Sequence, residues 1–237
     1  MLDIHPPHHA TSTWRDFFIH IATICIGLLI AIGLEQSVEA LHRHHEHRKL
    51  LAALDAESRQ ILFDTNRVET GETLDLQWIR QLEAQVSDAA RDHHPLDQIA
   101  HHTSFGWDIP DEPVYKAAKA SAKLDLLSDD ETVVYGELDA VMTQVLAKYD
   151  ELIRARRELD AFVRELSFAQ PAGAKQLSAA TPADLKQLHT LMVQLEEATG
   201  TMRYWSRQAR GAATALLAGE RDLHKLQAAE RQFDKIP

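Results

Sequence analysis

Histidine is the side chain here best suited to metal or proton chemistry, and it comes in groups. His42, His44, His45 and His47 fall within the run HRHHEHRK. On a helix, His42/His45 and His44/His47 are i,i+3 pairs, the spacing at which two imidazoles on one face share a metal ion. Glu39 precedes His42 in the Glu-x-x-His spacing of di-iron helical proteins, but those need a second such motif, which the chain lacks. Two histidines supply half of a closed zinc shell. Metal binding at these four positions is therefore the weaker assignment. The stronger is a polar collar: Arg43, Arg48 and Lys49 meet lipid phosphates, and the histidines gain charge as pH falls below about 6.5. His93, His94, His101 and His102 are doublets that fit no ligand signature. Exposed loop positions account for them.

Catalytic patterns are missing. The sequence contains no phosphate-cradling glycine loop, no dinucleotide fingerprint, no H-E-x-x-H and no G-x-S-x-G. Acids are abundant, but at this density on helices they read as a solvated face, and nothing singles out a general acid–base pair. The expectation is a protein that is not an enzyme, with no catalytic or cofactor-binding residues and no cofactor. A formal net charge of −11 argues against a nucleic-acid partner, which requires a basic face. The single cysteine, Cys25, excludes a disulfide within the chain.

The strongest positional signal is Phe17–Leu34, FFIHIATICIGLLIAIGL, eighteen residues without a full charge. At 1.5 Å per residue such a helix spans about 27 Å, close to the hydrocarbon thickness of a bilayer. Trp14 and Arg15 precede it and Glu35 follows, as expected where a span meets headgroups. A cleaved signal peptide is the competing reading, with Val38 and Ala40 as the small residues of a cleavage site. Against it stand the single n-region arginine, neutralised by Asp16, and an apolar run longer than signal peptides carry. His20 is a polar group in hydrocarbon and thus a functional candidate. His20, Thr23, Gly27 and Ala31 share one face, and the small residues among them would let a second span approach closely, so that face is the candidate contact for a homodimer, against the alternative that it faces lipid.

After a flexible tail (1–16), the span (17–34) and a His/Arg-rich juxtamembrane helix (35–49), residues 50–237 form one helical domain. Only nine glycines and eight prolines interrupt the chain, which favours long helices over sheet. The clearest seam is Tyr135, Leu138, Met142, Val145, Tyr149, Leu152, Arg156, Leu159, Val163, Leu166. Nine of these ten are apolar in a chain that is 45% apolar, and the three- and four-residue steps form a heptad that demands a partner helix. Ser128 and Glu131 make a capping box at its start. A second seam runs Leu185, Leu188, Met192, Leu195, Thr199, Met202, Ser206, Ala209, Ala213, Leu216, opened by Thr181-Pro182 and rich in small residues near Gly200 and Gly211. A third, Leu51, Leu54, Ser58, Ile61, Thr65, Val68, weakens around Gly71 and resumes at Ile79, Leu82, Val86.

These patterns predict an all-α protein: a transmembrane helix followed by an elongated antiparallel bundle of long, coiled-coil-like helices over about 50–92, 128–168 and 182–234. The long loop 93–114 separates the first two, and its Phe105 and Trp107 are the expected contacts for an unidentified protein partner.

Trp14–Asn66 is similar to the opening of uncharacterised bacterial single-pass membrane proteins. These have an IGLLIA-type span, then a glutamate/glutamine pair on a helix with recurring L-x-x-E and Asn. The matching residues are Ile26–Ala31, Glu35, Gln36, Leu54, Glu57 and Asn66, within about a quarter of the chain. The resemblance implies a single-pass protein of the bacterial inner membrane and lends no catalytic residue. Arg43, Arg48 and Lys49 outweigh Arg15 and favour a cytosolic C-terminal domain, whereas the resemblance favours the opposite side. The expected function is a membrane-anchored, non-enzymatic scaffold, adaptor or envelope-associated interaction protein. The alternative is a ligand-sensing helical domain, and the weakest is a histidine-dependent metal binder.

Overall fold

A computed structural model of the chain describes residues 14–92, 110–168 and 181–233. Among these, 93% are helical and no strand occurs. The elements are α1 (Trp14–Asp92), α2 (Pro113–Ala120), a 3-10 turn (Lys123–Leu126), α3 (Asp129–Phe168), α4 (Pro182–Leu217) and α5 (Leu223–Phe233). The chain divides into two compact units, residues 1–50 and 51–237.

The first unit contains the N-terminal part of α1, with its apolar side chains exposed from Phe17 through Leu34. Trp14–Asp16, expected in the tail, are already helical. Trp14 stacks on Phe18 and meets Phe17 edge-on, and Asp16 lies in the first turn, where an acid favours the helix dipole.

The second unit buries the three seams. In α3, Tyr135, Leu138, Met142, Val145, Leu152, Leu159 and Val163 are all buried, and so is Arg156. In α4 the seam is buried from Leu188 to Leu216, while Leu185 is exposed. Both expected caps form. Glu131 N–H donates to Ser128 Oγ at 3.3 Å and Ser128 N–H to the Glu131 carboxylate at 2.8 Å. Thr181 and Asp184 do the same for α4, at 3.2 and 2.7 Å. In α1 the weak patch around Gly71 is no gap. The stepping Thr65, Val68, Glu72, Asp75, Ile79, Leu82 continues unbroken, with two buried acids in place of apolar residues.

The directions of the helices depart from the expected antiparallel succession. Tyr135 Oη donates to Asp55 at 3.1 Å, and Arg156 Nε donates to Asp75 at 3.0 Å. Both helices advance between these contacts, so α1 and α3 run parallel. Arg203 pairs with Glu72 whereas Arg207 and Arg210 pair with Glu69, so α4 runs against α1. The physical reason is α2. Its first turn is held on Glu57 of α1, which brings the chain back to that level before α3 begins.

The single helix expected over 182–234 is interrupted. Gly219 takes a left-handed φ of +85°, its N–H bonds to the Leu216 carbonyl, and Glu220 N–H bonds to that of Ala215, both at 3.0 Å. This is a Schellman stop, and glycine supplies the left-handed residue without a Cβ clash. α5 then folds back on α4. A Cβ at Gly211 would lie 2.6 Å from Glu230 Cα, so the close approach expected of the small-residue stretch is used here; Gly200 has nothing within 4 Å. Gly211→Ala should therefore destabilise the second unit by about 1–3 kcal/mol through overpacking. Gly200→Ala should not, and thermal melting followed by circular dichroism compares the two.

Candidate functional site

The most unusual chemistry among the described residues is a layer of acids and arginines at mid-seam. Glu69, Glu72 and Asp75 repeat every three residues on α1. Arg203, Arg207 and Arg210 occupy i, i+4 and i+7 of α4, and Arg156 comes from α3. Asp75 has no exposed side-chain surface and takes a two-pronged contact from Arg156, Nε on Oδ1 at 3.0 Å and Nη2 on Oδ2. Planar guanidinium matches carboxylate in this geometry, which offsets the desolvation of both charges. Glu69 accepts from Arg210 and lies 3.6 Å from Arg207.

Glu72 is held less well. Its Oε2 accepts one hydrogen bond, 3.3 Å from Arg203 Nε, and its buried Oε1 accepts none from a described residue. Burial pushes its carboxyl up to about 7, opposed by Arg203 and reinforced by Glu69 and Asp75. Glu230 on α5 is likewise pushed up to about 7 by burial, with Glu137 adding to the effect.

A second cluster surrounds α2. Glu112, at its N-cap position, makes no side-chain cap. Glu57 of α1 caps the helix instead, accepting from Val114 N–H at 2.6 Å and Tyr115 N–H at 3.1 Å. Glu57 lies fifty-seven residues from Val114, too far for any local pattern to announce.

His42, His44 and His45 are exposed on α1 and His47 is half-buried. No group of three or more His, Cys, Asp or Glu side chains among the described residues is arranged to hold a metal. On the span, His20 Nδ1 donates to the Asp16 carbonyl at 3.0 Å and Thr23 Oγ1 to that of Ile19 at 2.8 Å, so both polar groups are satisfied within their own helix. Gly27 has nothing within 4 Å, and Ala31 is exposed. Phe105, Trp107, the histidines of 93–102 and the N-terminal His5, His8 and His9 lie outside the described residues. No protein-family model matches the chain, nor does any curated protein or solved structure.

Two expected outcomes follow from the layer. Arg156→Met removes the two-pronged partner of the fully buried Asp75 carboxylate and should cost about 3–5 kcal/mol. The double change Asp75→Leu/Arg156→Met should recover most of that loss, as chemical denaturation of all three proteins would show. The second outcome concerns pH. Folded Glu72 and Glu230 retain protons that the unfolded chain releases above about 4.5, so stability should fall as pH rises from 4.5 through 7. Tm should be higher at pH 5.5 than at pH 8, and Glu72→Gln should flatten that dependence.

Proposed function

We propose that this chain is a membrane-anchored, non-enzymatic helical scaffold or adaptor, inserted once into a bacterial inner membrane. The observation that carries the reading is the contrast in exposure along α1. Leu29 and Ile24 are 68% and 69% exposed, whereas Leu54, Ile61 and Val68 on the same helix are at most 1% exposed. The described residues of the second unit bury most of each seam, and the apolar run in 17–34 has no such cover among the described residues. A bilayer supplies it, since transfer of apolar surface from water is worth roughly 25 cal/mol per Å². The continuous helix also satisfies every backbone group inside the hydrocarbon.

In this reading the second unit is an elongated, coiled-coil-like bundle that serves as the interaction module. Its partners are the lipid bilayer, a second copy through the His20/Thr23/Gly27/Ala31 face, and a protein bound through Phe105 and Trp107. The resemblance of Trp14–Asn66 to single-pass bacterial proteins supports the same assignment. A ligand-sensing helical domain is the second reading. The single hydrogen bond on buried Glu72 favours it, because a loosely held core acid is an element whose packing a bound ligand or proton can change.

Carbonate extraction of membranes from cells making the full chain tests the anchor. Full-length protein should stay in the pellet. A soluble mature form beginning at Leu41 would show instead that the apolar run is a removed signal. A C-terminal phosphatase fusion assigns the side on which the second unit lies.

A further inference from the structure

α2 is a helix of only eight residues, and by itself it would not hold its place. Three features fix it. The Glu57 carboxylate bonds its first two free N–H groups. Tyr115 is buried, and its Oη would lie 3.6 Å from a Cβ at Gly136 of α3, so the absent side chain there leaves room for the ring. Lys119 reaches across to Asp139 of α3 at 2.9 Å. All three contacts tie the entry to α3 onto α1 and α3.

Glu112 lies at the junction of these contacts. It is 2% exposed, and it does not cap its own helix. The titratable groups around it are Glu57 from α1, Asp139 from α3, Asp111 and Lys116 from its own segment, and Tyr115 and Lys119 from α2. Lys116 is already paired with Asp111, and Lys119 with Asp139. An ionised Glu112 would be a buried charge facing three carboxylates whose nearest lysines are engaged. A protonated Glu112 adds no charge there.

We propose that α2 is a proton-gated latch: with Glu112 protonated it holds the segment entering α3 against α1 and α3, and ionisation of Glu112 beside Glu57, Asp139 and Asp111 releases it. The direction is supported by the Glu112 carboxyl itself, which burial, then Asp139 and Glu57, push up to about 8. The folded state retains a proton there that the unfolded or undocked segment loses. The docked form is favoured at low pH and weakens as pH rises from about 4.5 to about 8, where the loss is complete. Glu57 is also raised by burial, although its two backbone hydrogen bonds oppose the shift. The latch is independent of the membrane assignment, since every residue in it belongs to the second unit.

Millisecond hydrogen exchange on the full chain in nanodiscs, between pH 6.5 and 9.5, tests this. The readout is the protection of the Val114–Ala120 amides relative to that of Val145–Leu159 in the same sample, which cancels the intrinsic pH dependence of exchange. The ratio should fall at least tenfold between pH 6.5 and 8 and level off above about pH 8, and Glu112→Gln should keep it high at pH 9.5. A ratio constant with pH in the wild type would overturn the proposal, as would a fall that persists in Glu112→Gln. Should that variant fail to fold, ¹³C NMR titration of the glutamate carboxyls in the wild type decides. A Glu112 midpoint below 6 contradicts the latch, and one near 8, where the exchange ratio levels off, supports it.

Discussion

The contact on which the second unit depends is the pair between Asp75 and Arg156. It lies where apolar seams on α1 and α3 would otherwise be interchangeable, since aliphatic heptads tolerate several registers and both directions of packing. A buried carboxylate with no exposed surface removes that freedom, because any register that slides Arg156 away gives up its two-pronged contact with Asp75 in the core. Direction is then fixed by a second point, Tyr135 on Asp55, and by α2 held on Glu57. α4 follows from the same layer, as its three arginines find Glu69 and Glu72 only in the reverse sense.

The layer also explains why the core is built with uneven margins. Asp75 is doubly bonded to Arg156, but Glu72 has one long hydrogen bond and one oxygen without a partner among the described residues. Glu112 and Glu230 are further buried carboxyls whose neighbours include other acids. Each prefers its neutral form, so the fold is tightest in mildly acidic solution.

Much of this architecture was legible because it is local or periodic. The caps at Ser128 and Thr181 and the seams of α3 and α4 depend on residues within a turn or two of each other. The apolar run was legible for the same reason. What escaped was whatever joins distant residues. The interruption near Gly71 read as a weak patch because Glu72 and Asp75 are polar, and only their arginine partners on other helices make them core residues. Glu57 carried a local signal only as part of an L-x-x-E repeat, so its capping of α2 and the parallel course of α3 went unforeseen. The stop at Gly219 was missed although glycine there is an ordinary C-terminal signal, because the small-residue helix around it read as continuous. The histidines stand out by composition, and no group of three or more metal-ligating side chains forms among the described residues.

The parallel course of α1 and α3 is the claim from which the rest follows, and pulsed electron resonance distances test it directly. Spin labels at the exposed positions Phe63 and Arg80 of α1 can be paired with labels at Thr143 and Ala161 of α3, in full-length protein with Cys25 replaced by serine. Parallel packing predicts short and similar distances for 63–143 and 80–161. The crossed pairs 63–161 and 80–143 should be longer, because 17 to 18 residues of helix separate the levels by about 26 Å. Short crossed pairs with long 63–143 and 80–161 distances would mean that the helices run antiparallel, and would contradict the account.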